Sequence, residues 1–236
     1  MLNFIHKKKL NIFKQLKLEE FLLKSLDTPF CLINEGTKSS IILGISNNVS
    51  DLVQIDLAKK DKIPIIKRFT AGGTVYVDEN TLFVTFIFSK KSLDITFFPE
   101  PILRWAENFY KKVFEIKNFK LVENDFVIDD KKIAGNAMYI KKDRFLLHTS
   151  FLMDFDDKKM KKYLKIPKVA PKYRKNRSHE FFLSPLKAQK KYSKEEFIQK
   201  IKITLRKFFK IKNFDLSDLN FLEIENKETK FSTTYL

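Results

Sequence analysis

The chain has 236 residues, with 46 lysines and arginines against 29 aspartates and glutamates, which gives a formal net charge of +17. This length allows one large domain, or one large and one small domain, and no stretch of about 18 uninterrupted apolar residues is present to span a bilayer. Residues 1–13 are basic and partly apolar but lack the long apolar centre of a secretory signal. The single cysteine, Cys31, excludes an intramolecular disulfide and fits a reducing compartment, so we expect a soluble, cytoplasmic protein.

The excess of positive charge raises nucleic acid as a partner. The basic residues are 40 lysines and only six arginines, and lysine is scattered along the whole chain. No zinc-finger or RNP-like pattern accompanies the charge, so we do not predict specific nucleic-acid binding. An acidic protein partner would suit the same field, because opposite charge steers two proteins together.

The first third of the chain alternates helical and extended patterns. Apolar residues recur at helical spacing over residues 16–26, which predicts an amphipathic helix that Pro29 ends. Short apolar runs at residues 30–33 and 41–45, with a polar stretch between them, predict a hairpin of core strands. Cys31 lies in the first run, so we expect a buried core residue rather than a nucleophile.

The next segment leads into and out of a pair of glycines. A short helix is predicted over residues 51–60, followed by a strand at residues 64–68 that runs into the glycines. Beyond them, residues 74–77 and 82–88 are β-branched and aromatic, and a turn-like stretch joins them. This pattern predicts a second hairpin.

The middle of the chain contains the clearest long helix, over residues 99–117, with an apolar stripe along one face. Three strands are then predicted at residues 126–128, 131–140 and 144–151, joined by short charged turns. Consecutive strands joined by short turns pair antiparallel, so the predicted sheet is mainly antiparallel.

The last third is predicted as a helix, a long loop, a helix and a strand. Helical spacing returns over residues 154–164, and residues 166–186 contain three prolines and no period, which indicates an ordered surface loop. Ser193 and Glu196 form a capping-box pattern at the start of the following helix. A final strand is predicted at residues 219–224.

No linker signal divides the chain. We therefore predict a single α+β domain over residues 1–236, with a central mixed, mostly antiparallel sheet flanked by helices. Its core spans about residues 16–210, and residues 211–236 form a C-terminal strand region.

The glycine pair lies beside a scarce arginine. The chain has five glycines, and Gly72 and Gly73 are adjacent, four and five residues after Arg68. Arginine is a planar, bidentate donor for phosphate or carboxylate, and glycine amides can turn toward an anion without a side chain in the way. The stretch is therefore a candidate anion cradle, with a plain hairpin turn as the alternative. Neither a Walker loop nor a dinucleotide fingerprint is present.

A second candidate cluster combines Asn124 and Asp125 with the strand that begins near Lys132 and contains Gly135. A compact ammonium among small residues can approach both a carboxylate and a phosphate oxygen. One lysine among forty is by itself more typical of a solvated surface.

The order of these motifs resembles that of the lipoate-protein ligase family, in the biotin/lipoate ligase superfamily. The resemblance covers residues 18–186 and rests on four stretches in order: Arg68-Phe69-Thr70-Ala71-Gly72-Gly73-Thr74-Val75-Tyr76-Val77-Asp78, Asn124-Asp125, Lys132-Ile133-Ala134-Gly135-Asn136-Ala137 and His148-Thr149-Ser150-Phe151-Leu152.

The resemblance implies the catalytic-domain fold of biotin and lipoate ligases. It also implies an enzyme that uses ATP and Mg²⁺ to convert lipoate to lipoyl-AMP and then transfers the lipoyl group to a lysine. The acceptors that it implies are acidic lipoyl domains of 2-oxoacid dehydrogenase E2 subunits or the glycine-cleavage H protein. Longer family members carry a small accessory domain, so a separate accessory chain is a further expected partner.

The resemblance also implies residue roles. Lys132 matches the catalytic lysine that bridges the activated carboxyl group and the α-phosphate, and Asp125 matches a nucleotide- and metal-side carboxylate. The other matched positions are expected to border or support the lipoate and adenylate pocket: Arg68, Gly72, Gly73, Tyr76, Asp78, Asn124, Ala137 and His148. Phe69, Val75 and Ile133 are expected to help line an apolar tunnel for the acyl chain.

The sequence departs from the family pattern in four places. The usual three-glycine run begins with Ala71, the usual His-Asp is Val77-Asp78, and the usual His-His-Gly-Thr reads Leu147-His148-Thr149-Ser150. The stretch after the second predicted strand, residues 44–48, also differs. These departures bear on substrate identity and on adenylation.

Three other functions remain open. A lipoyl or octanoyl transferase of the same fold normally relies on an acyl-enzyme cysteine, and Cys31 lies away from the matched motifs. A protein that needs preformed lipoyl-AMP, or a cofactor-binding pseudoenzyme, would keep the fold without activation. A basic nucleic-acid-binding protein is the alternative from a different class.

Overall fold

The computed structural model describes residues 1–167, 170–189, 193–218 and 230–236. These residues form a large and a small β-sheet with helices packed on them. The large sheet has eight strands, in the following spatial order: β11 (Ile211–Asn213), β1 (Leu2–Lys8), β2 (Phe30–Glu35), β6 (Thr81–Ser89), β10 (Arg144–Leu152), β9 (Lys131–Ile140), β8 (Asp125–Ile128) and β7 (Phe119–Val122).

The sheet is mixed and mostly antiparallel, as predicted. Within it, β1 pairs in parallel with β2 and with β11, and the other neighbouring pairs are antiparallel. The small sheet has four strands, in the order β12 (Thr234–Tyr235), β4 (Ile65–Lys67), β3 (Ser40–Leu43) and β5 (Val75–Val77).

Helices cover both faces of the large sheet. In chain order they are α1 (Ile12–Ser25), α2 (Val49–Leu52), α3 (Ile55–Lys60), α4 (Pro99–Phe114), α5 (Asp157–Tyr163), α6 (His179–Phe182), α7 (Leu186–Gln189) and α8 (Lys194–Arg206). The largest apolar cluster packs α4 and α8 against one face of the large sheet. On the other face, α1 packs against both sheets. Within the described ranges, no helix has the length and hydropathy needed to cross a bilayer.

Local signals fix the ends of the main helices. Asn11 accepts hydrogen bonds from the first turn of α1, and the helix ends at Ser25, before Pro29. The capping box of Ser193 and Glu196 at the start of α8 is confirmed, because both of its hydrogen bonds are present. The long helix α4 ends at Phe114, three residues earlier than predicted, because Glu115 adopts the left-handed conformation.

Both predicted hairpins are wrong. The strands β2 and β3, expected to pair, lie in different sheets, and so do β5 and β6. The turns between them exist, but each carries the chain from one sheet to the other. Between β2 and β3, Gly36 has φ +83° and Thr37 donates its N–H to the carbonyl of Asp78, at 3.2 Å. Because residues of these strands are buried on both faces, their sequences do not reveal which strand is the neighbour.

Other differences concern short elements. The helix predicted over residues 51–60 is two helices, α2 and α3. The strands β1 and β7 were not predicted, and β11 and β12 lie in the predicted C-terminal strand region without having been predicted individually. The predicted loop of residues 166–186 contains a 3₁₀ turn, Lys172–Arg174, and the short helix α6. The strand predicted at residues 219–224 lies outside the described residues.

Candidate functional site

The loop of residues 68–73, hereafter the glycine loop, connects the small sheet to the large one. It follows β4 and docks on β9, where Ala71 and Met138 exchange two backbone hydrogen bonds of 3.0 and 3.1 Å. On its other side, Ile45 donates its N–H to the carbonyl of Thr70, at 3.0 Å. The middle of the loop is therefore held on two sides by backbone hydrogen bonds of Thr70 and Ala71, which fixes the residues that flank them.

The two glycines of this loop have different surroundings. Gly72 has φ +136°, and a Cβ placed on it would lie 2.6 Å from Nη2 of Arg68 and 3.0 Å from the carbonyl oxygen of Asn136. The same Cβ would lie 3.3 Å from Cα of Ala137, so position 72 has room only for glycine. A Cβ on Gly73 would meet no heavy atom within 4 Å, so that position faces open space.

Arg68 lies buried under the glycine loop. Its side chain is only 4% exposed, and its Nη2 donates to the carbonyl of Gly73 at 2.7 Å. Its buried Nε has no hydrogen-bond partner among the described residues. Burial lowers the pKa of Arg68 to about 10, and the charge of Glu19 partly opposes this effect. A buried guanidinium with spare donors fits an anion such as phosphate or carboxylate.

Lys132 forms an ion pair with Asp125 across neighbouring strands. Its Nζ lies 2.8 Å from Oδ1 of Asp125, and both side chains are mostly shielded from solvent. The hydroxyl of Tyr173 donates to the other oxygen, Oδ2, at 2.8 Å. Burial and the neighbouring Asp125 carboxylate raise the pKa of Tyr173, so its hydroxyl remains a donor. Both oxygens of Asp125 are thus engaged.

The glycine loop with Arg68 and the ion pair of Lys132 and Asp125 both lie against residues 135–137 of β9. A Cβ on Gly135 would lie 3.2 Å from Nζ of Lys132, so the ammonium rests against a bare strand. In the sheet register, Asp125 lies opposite Gly135 and His148 lies opposite Ala137. Since the glycine loop also approaches Ala137, its arginine and Lys132 come to the same short stretch of one strand.

His148 is part of a buried polar network. Its Nδ1 lies 3.0 Å from both carboxylate oxygens of Glu19, which is fully buried on α1. Glu19 also accepts hydrogen bonds from Gln15 Nε2, at 2.8 Å, and from Thr85 Oγ1, at 2.7 Å. Because an ionised carboxylate can only accept, the proton belongs on Nδ1 of His148. This leaves Nε2, which has no partner among the described residues, available to a ligand.

Three predicted site residues make contacts elsewhere. The hydroxyl of Tyr76 donates to Ser39, and its ring stacks on Tyr163 outside the glycine loop. Asp78 accepts from the N–H of Asn80 in the turn between β5 and β6. Asn124 is exposed, and its carbonyl accepts from Nδ2 of Asn136. These contacts support the strands and turns around the site rather than Lys132 directly.

The three predicted tunnel residues do not lie together. Phe69 packs between α1 and the large sheet, Ile133 packs on the opposite face against α4, and Val75 packs against a third cluster beneath the small sheet. Ile133 and Ala134 both face the opposite cluster, because the pairing of β8 with β9 shifts register between Phe126 and Val127. This shift leaves Lys132 on the face of Gly135, toward the site. Of the three, Phe69 lies on the face that carries His148.

The described residues do not by themselves form a metal centre. They contain no group of three or more His, Cys, Asp or Glu side chains arranged to hold an ion. Each oxygen of Asp125 has one partner, Lys132 or Tyr173, and keeps a second lone pair with which it could contact an ion. Mg²⁺ needs few protein ligands when phosphates supply the others, so an ion could arrive with a nucleotide.

Cys31 does not have the properties of an acyl-enzyme nucleophile. It is fully buried in β2, within the cluster under α4, and burial raises the pKa of its thiol. The thiolate is the reactive form, so this environment makes Cys31 inert.

Sequence analysis missed several residues of this site. Glu19 and Thr85 hold His148, and Tyr173 holds Asp125, yet none lies in a matched motif. The retained-arginine argument that selected Arg68 would also have selected Arg174 and a neighbouring arginine in the loop that carries Tyr173.

Comparison with known proteins assigns the family. A family model described as the lipoyl protein ligase A/B catalytic domain matches residues 11–206. The chain belongs to this family. Curated relatives include the "Inactive lipoate–protein ligase 2" of Plasmodium falciparum, 30% identical over 79% of this chain and 64% of its own length. A probable lipoate-protein ligase A of Mycoplasma pneumoniae is 32% identical over 56% of this chain, but the match spans only 38% of that protein.

Solved structures share the fold at low sequence identity. A lipoate-protein ligase A bound with ATP superimposes with a TM-score of 0.75 at 20% identity, over 96% of this chain and 94% of that one. The bipartite lipoate protein ligase of Thermoplasma acidophilum gives 0.76 at 19% identity, with the same coverage of each chain. The structure of P. falciparum LipL1 in complex with lipoate gives a TM-score of 0.74 at 22% identity, over 96% of this chain and 71% of that one. The described architecture is thus the lipoate ligase catalytic fold.

Proposed function

We propose that this protein is an ATP-dependent lipoate-protein ligase. In the first step, a lipoate carboxylate oxygen attacks the α-phosphorus of ATP, which forms lipoyl-AMP and releases pyrophosphate. In the second, the ε-amine of an acceptor lysine attacks the acyl carbon, which forms an amide and releases AMP and a proton. We further propose that residues 1–236 act as one catalytic domain and that the acceptor is an acidic lipoyl domain or H protein.

The observation that carries this proposal is the convergence on residues 135–137. Two cations that are 64 residues apart in sequence, Arg68 and Lys132, reach one bare stretch of β9. A carboxylate attacking a phosphate brings two anions together, and neighbouring cations lower the barrier by neutralising that charge. Solved relatives of this fold hold lipoate or ATP, which is consistent with such a site.

Each residue then has a proposed role. Lys132, aimed by Asp125, would contact the lipoate carboxylate and the α-phosphate and later polarise the mixed anhydride. Arg68 would hold an anionic oxygen of the adenylate beside the glycine loop. His148, fixed by Glu19, would present Nε2 toward the acyl portion. Mg²⁺ would enter bound to the phosphates of ATP.

A second candidate is a transferase that accepts preformed lipoyl-AMP. Two observations favour it. The P. falciparum relative that matches 79% of this chain is called inactive, and Asp125 is committed to Lys132 through one oxygen and to Tyr173 through the other, where the family resemblance expects a metal-side carboxylate. In such a protein, Lys132 would serve only the second step.

One assay separates these functions. The protein is incubated with ATP, Mg²⁺, lipoate and an apo lipoyl domain, and acceptor mass is followed together with pyrophosphate release. We expect a lipoyl mass shift, and Lys132→Ala to lower its rate by about 10²-fold or more, as removal of a transition-state donor typically does. Lys131→Ala is the matched control, because Lys131 is the exposed neighbour on the same strand.

The remaining outcomes decide between the alternatives. Acceptor modification only from supplied lipoyl-AMP would establish the transferase. Pyrophosphate release without acceptor modification would mean activation without transfer to that acceptor. If the protein neither modifies the acceptor, from ATP and lipoate or from lipoyl-AMP, nor releases pyrophosphate, and if it binds DNA or RNA in a salt-sensitive way, the ligase is excluded and the nucleic-acid-binding alternative is favoured.

A further inference from the structure

Residues 44–47, hereafter the bracket turn, lie alongside the glycine loop. The turn closes through a hydrogen bond of 3.0 Å from the N–H of Asn47 to the carbonyl of Gly44. A Cβ on Gly44 would lie 2.2 Å from the carbonyl oxygen of Gly72, so only glycine lets the two segments approach this closely. The turn belongs to a stretch that departs from the family pattern, and the resemblance implies no role for its residues.

Backbone hydrogen bonds hold the glycine loop at Thr70 and Ala71 but no further. Among the described residues, neither Gly72 nor Gly73 takes part in a backbone–backbone hydrogen bond. Adjacent glycines have no side chains to restrict their rotation, so the peptide between them needs another restraint to keep one orientation.

Two side chains supply this restraint. Nδ2 of Asn47 donates to the carbonyl of Gly72 at 3.1 Å and to Oγ1 of Thr74 at 3.2 Å, and Nη2 of Arg68 donates to the carbonyl of Gly73 at 2.7 Å. A carbonyl can only accept, so the atom of Asn47 that faces Gly72 must be the amide nitrogen, whose two hydrogens can serve both acceptors. The side chain of Asn47 thus spans Gly73 and holds the residues on either side of it.

The carbonyl of Gly72 and the N–H of Gly73 belong to one peptide group. No peptide bond among the described residues is cis, so these two groups point in opposite directions. By holding the carbonyl, Asn47 directs the N–H of Gly73 away from the bracket turn. This N–H has no hydrogen-bond partner in the part of the chain that the structure describes, and a Cβ on Gly73 would face open space. A free N–H next to a buried guanidinium is a ready donor for an anion.

We propose that Asn47 is a positioning residue, which keeps the Gly72–Gly73 peptide turned so that the N–H of Gly73 and the guanidinium of Arg68 are presented to one ligand. The ligand class is an acyl adenylate, an identity that rests on the proposed function. Asn47 acts through the peptide and not by contact with the ligand. Rotation of the peptide would put the carbonyl of Gly72 in place of the donor, and a carbonyl repels an anionic oxygen.

The chain has only five glycines, so the peptide can be observed directly. The full-length protein is labelled with ¹⁵N-glycine, and the amide signal of Gly73 is assigned by its loss in Gly73→Ala. In the ligand-free wild type, this amide hydrogen should exchange rapidly with solvent. Preformed lipoyl-AMP should move the signal downfield and slow its exchange by about tenfold or more, as expected for a new hydrogen bond to a charged group.

Asn47→Asp keeps the size of the side chain but replaces the donor with a second oxygen, which repels the Gly72 carbonyl. The Gly73 signal should then no longer respond to lipoyl-AMP, and kcat for lipoate-dependent pyrophosphate release should fall by about tenfold or more. Asn47→Gln retains the donor and should restore both the response and the rate. Ser46→Ala is the matched control, because Ser46 is an exposed neighbour in the same turn, and it should behave like the wild type. If Asn47→Asp does not fold, Asn47→Ala provides the same comparison.

An equal response of Gly73 in the wild type and in Asn47→Asp would overturn the proposal, as would equal loss in Asn47→Gln and Asn47→Asp. If lipoyl-AMP moved other glycine signals of the wild type but not that of Gly73, only the role of Asn47 would be refuted. If it moved none, the role of Asn47 and the ligase would fail together. A wild type that binds lipoyl-AMP through Gly73 but releases no pyrophosphate from ATP and lipoate would support the role of Asn47 and refute only the ligase.

Discussion

The absence of a side chain at Gly72 allows the guanidinium of Arg68 to lie against the glycine loop. Arg68 lies so close to Gly72 that the Cβ of any other residue would meet its Nη2 at 2.6 Å, and the φ of +136° is strained for any side chain. The neighbouring Gly73 has neither restriction, since its φ is not positive and its Cβ direction is open.

We therefore expect Gly72→Ala and Gly73→Ala to differ. Gly72→Ala should lower the free energy of unfolding by about 1–3 kcal/mol, the usual cost of one strained backbone position, and displace Arg68. Gly73→Ala should change stability by about 0.5 kcal/mol or less. Urea denaturation measures the loss of stability in each variant. The KM values for lipoate and ATP measure the displacement of Arg68 in Gly72→Ala. Equal stability of the two variants would contradict this account of the loop.

The candidate site was partly predictable at this scale because rare residues are informative. Arg68 and the two adjacent glycines were selected by their scarcity, and the motif order added Lys132. Glu19 could not be found in the same way. Glu19 matters because it contacts His148, which is 129 residues away in the sequence. A local sequence pattern does not reveal a contact between residues so far apart.

Among the secondary-structure elements, helices with a clear hydrophobic period were predicted well. The pairing of strands, which depends on distant segments, was not. The stripe along α4 and the capping box of α8 are properties of one segment, and both helices are present. Which strand lies beside β3 or β5 is decided by distant segments, since β3 pairs with β4 and β5 in a separate sheet. The sequence predicted the existence of these strands but not their pairing.

The C-terminal strand β12 also pairs with a strand that is distant in sequence, and this pairing lies close to the candidate site. It pairs with β4, which leads directly to Arg68. Glu20, fully buried on α1, holds the segment before β12 by accepting the N–H groups of Ser232, at 2.8 Å, and Thr233, at 3.1 Å. This carboxylate therefore braces the edge of the small sheet beside the glycine loop.

We expect Glu20→Gln to release β12, because an amide cannot accept two hydrogen bonds as strongly as a carboxylate. The loss should be about 1.5–3 kcal/mol of stability, as for a hydrogen bond to a charged group. Backbone amide hydrogens of β4 should exchange faster with deuterium, and the KM values for lipoate and ATP should rise.

Glu107→Gln is the matched control for this substitution. Glu107 is a buried helical carboxylate that accepts the N–H of Leu121, at 2.9 Å, but it lies on α4. Its loss should lower stability without changing exchange in β4. If both variants changed β4 equally, the effect of Glu20 would be a general loss of stability and not a local brace.

At the scale of the whole molecule, the net charge of +17 would favour an acidic acceptor protein in the proposed reaction. A field of this size attracts an acidic protein over distances comparable to the Debye length, which is about 10 Å at 0.1 M salt and about 3 Å at 1 M. Binding of small substrates should respond less, because their affinity depends on short contacts to groups such as the mostly buried Arg68 and Lys132.

The two steps of the proposed reaction should therefore differ in salt dependence. Between about 0.05 and 0.5 M NaCl, kcat/KM for transfer to an acidic lipoyl domain should fall by tenfold or more, since steering contributes about 10–10³-fold to association rates and is screened by salt. Adenylation, measured as lipoate-dependent pyrophosphate release at saturating ATP, should fall much less over the same range. An acceptor whose surface acids are replaced by amides is the control, and it should react slowly at every salt concentration. Equal salt sensitivity of both steps would instead place the effect of salt at the site itself, on Arg68 and Lys132, and the excess lysines would then have no part in choosing the acceptor.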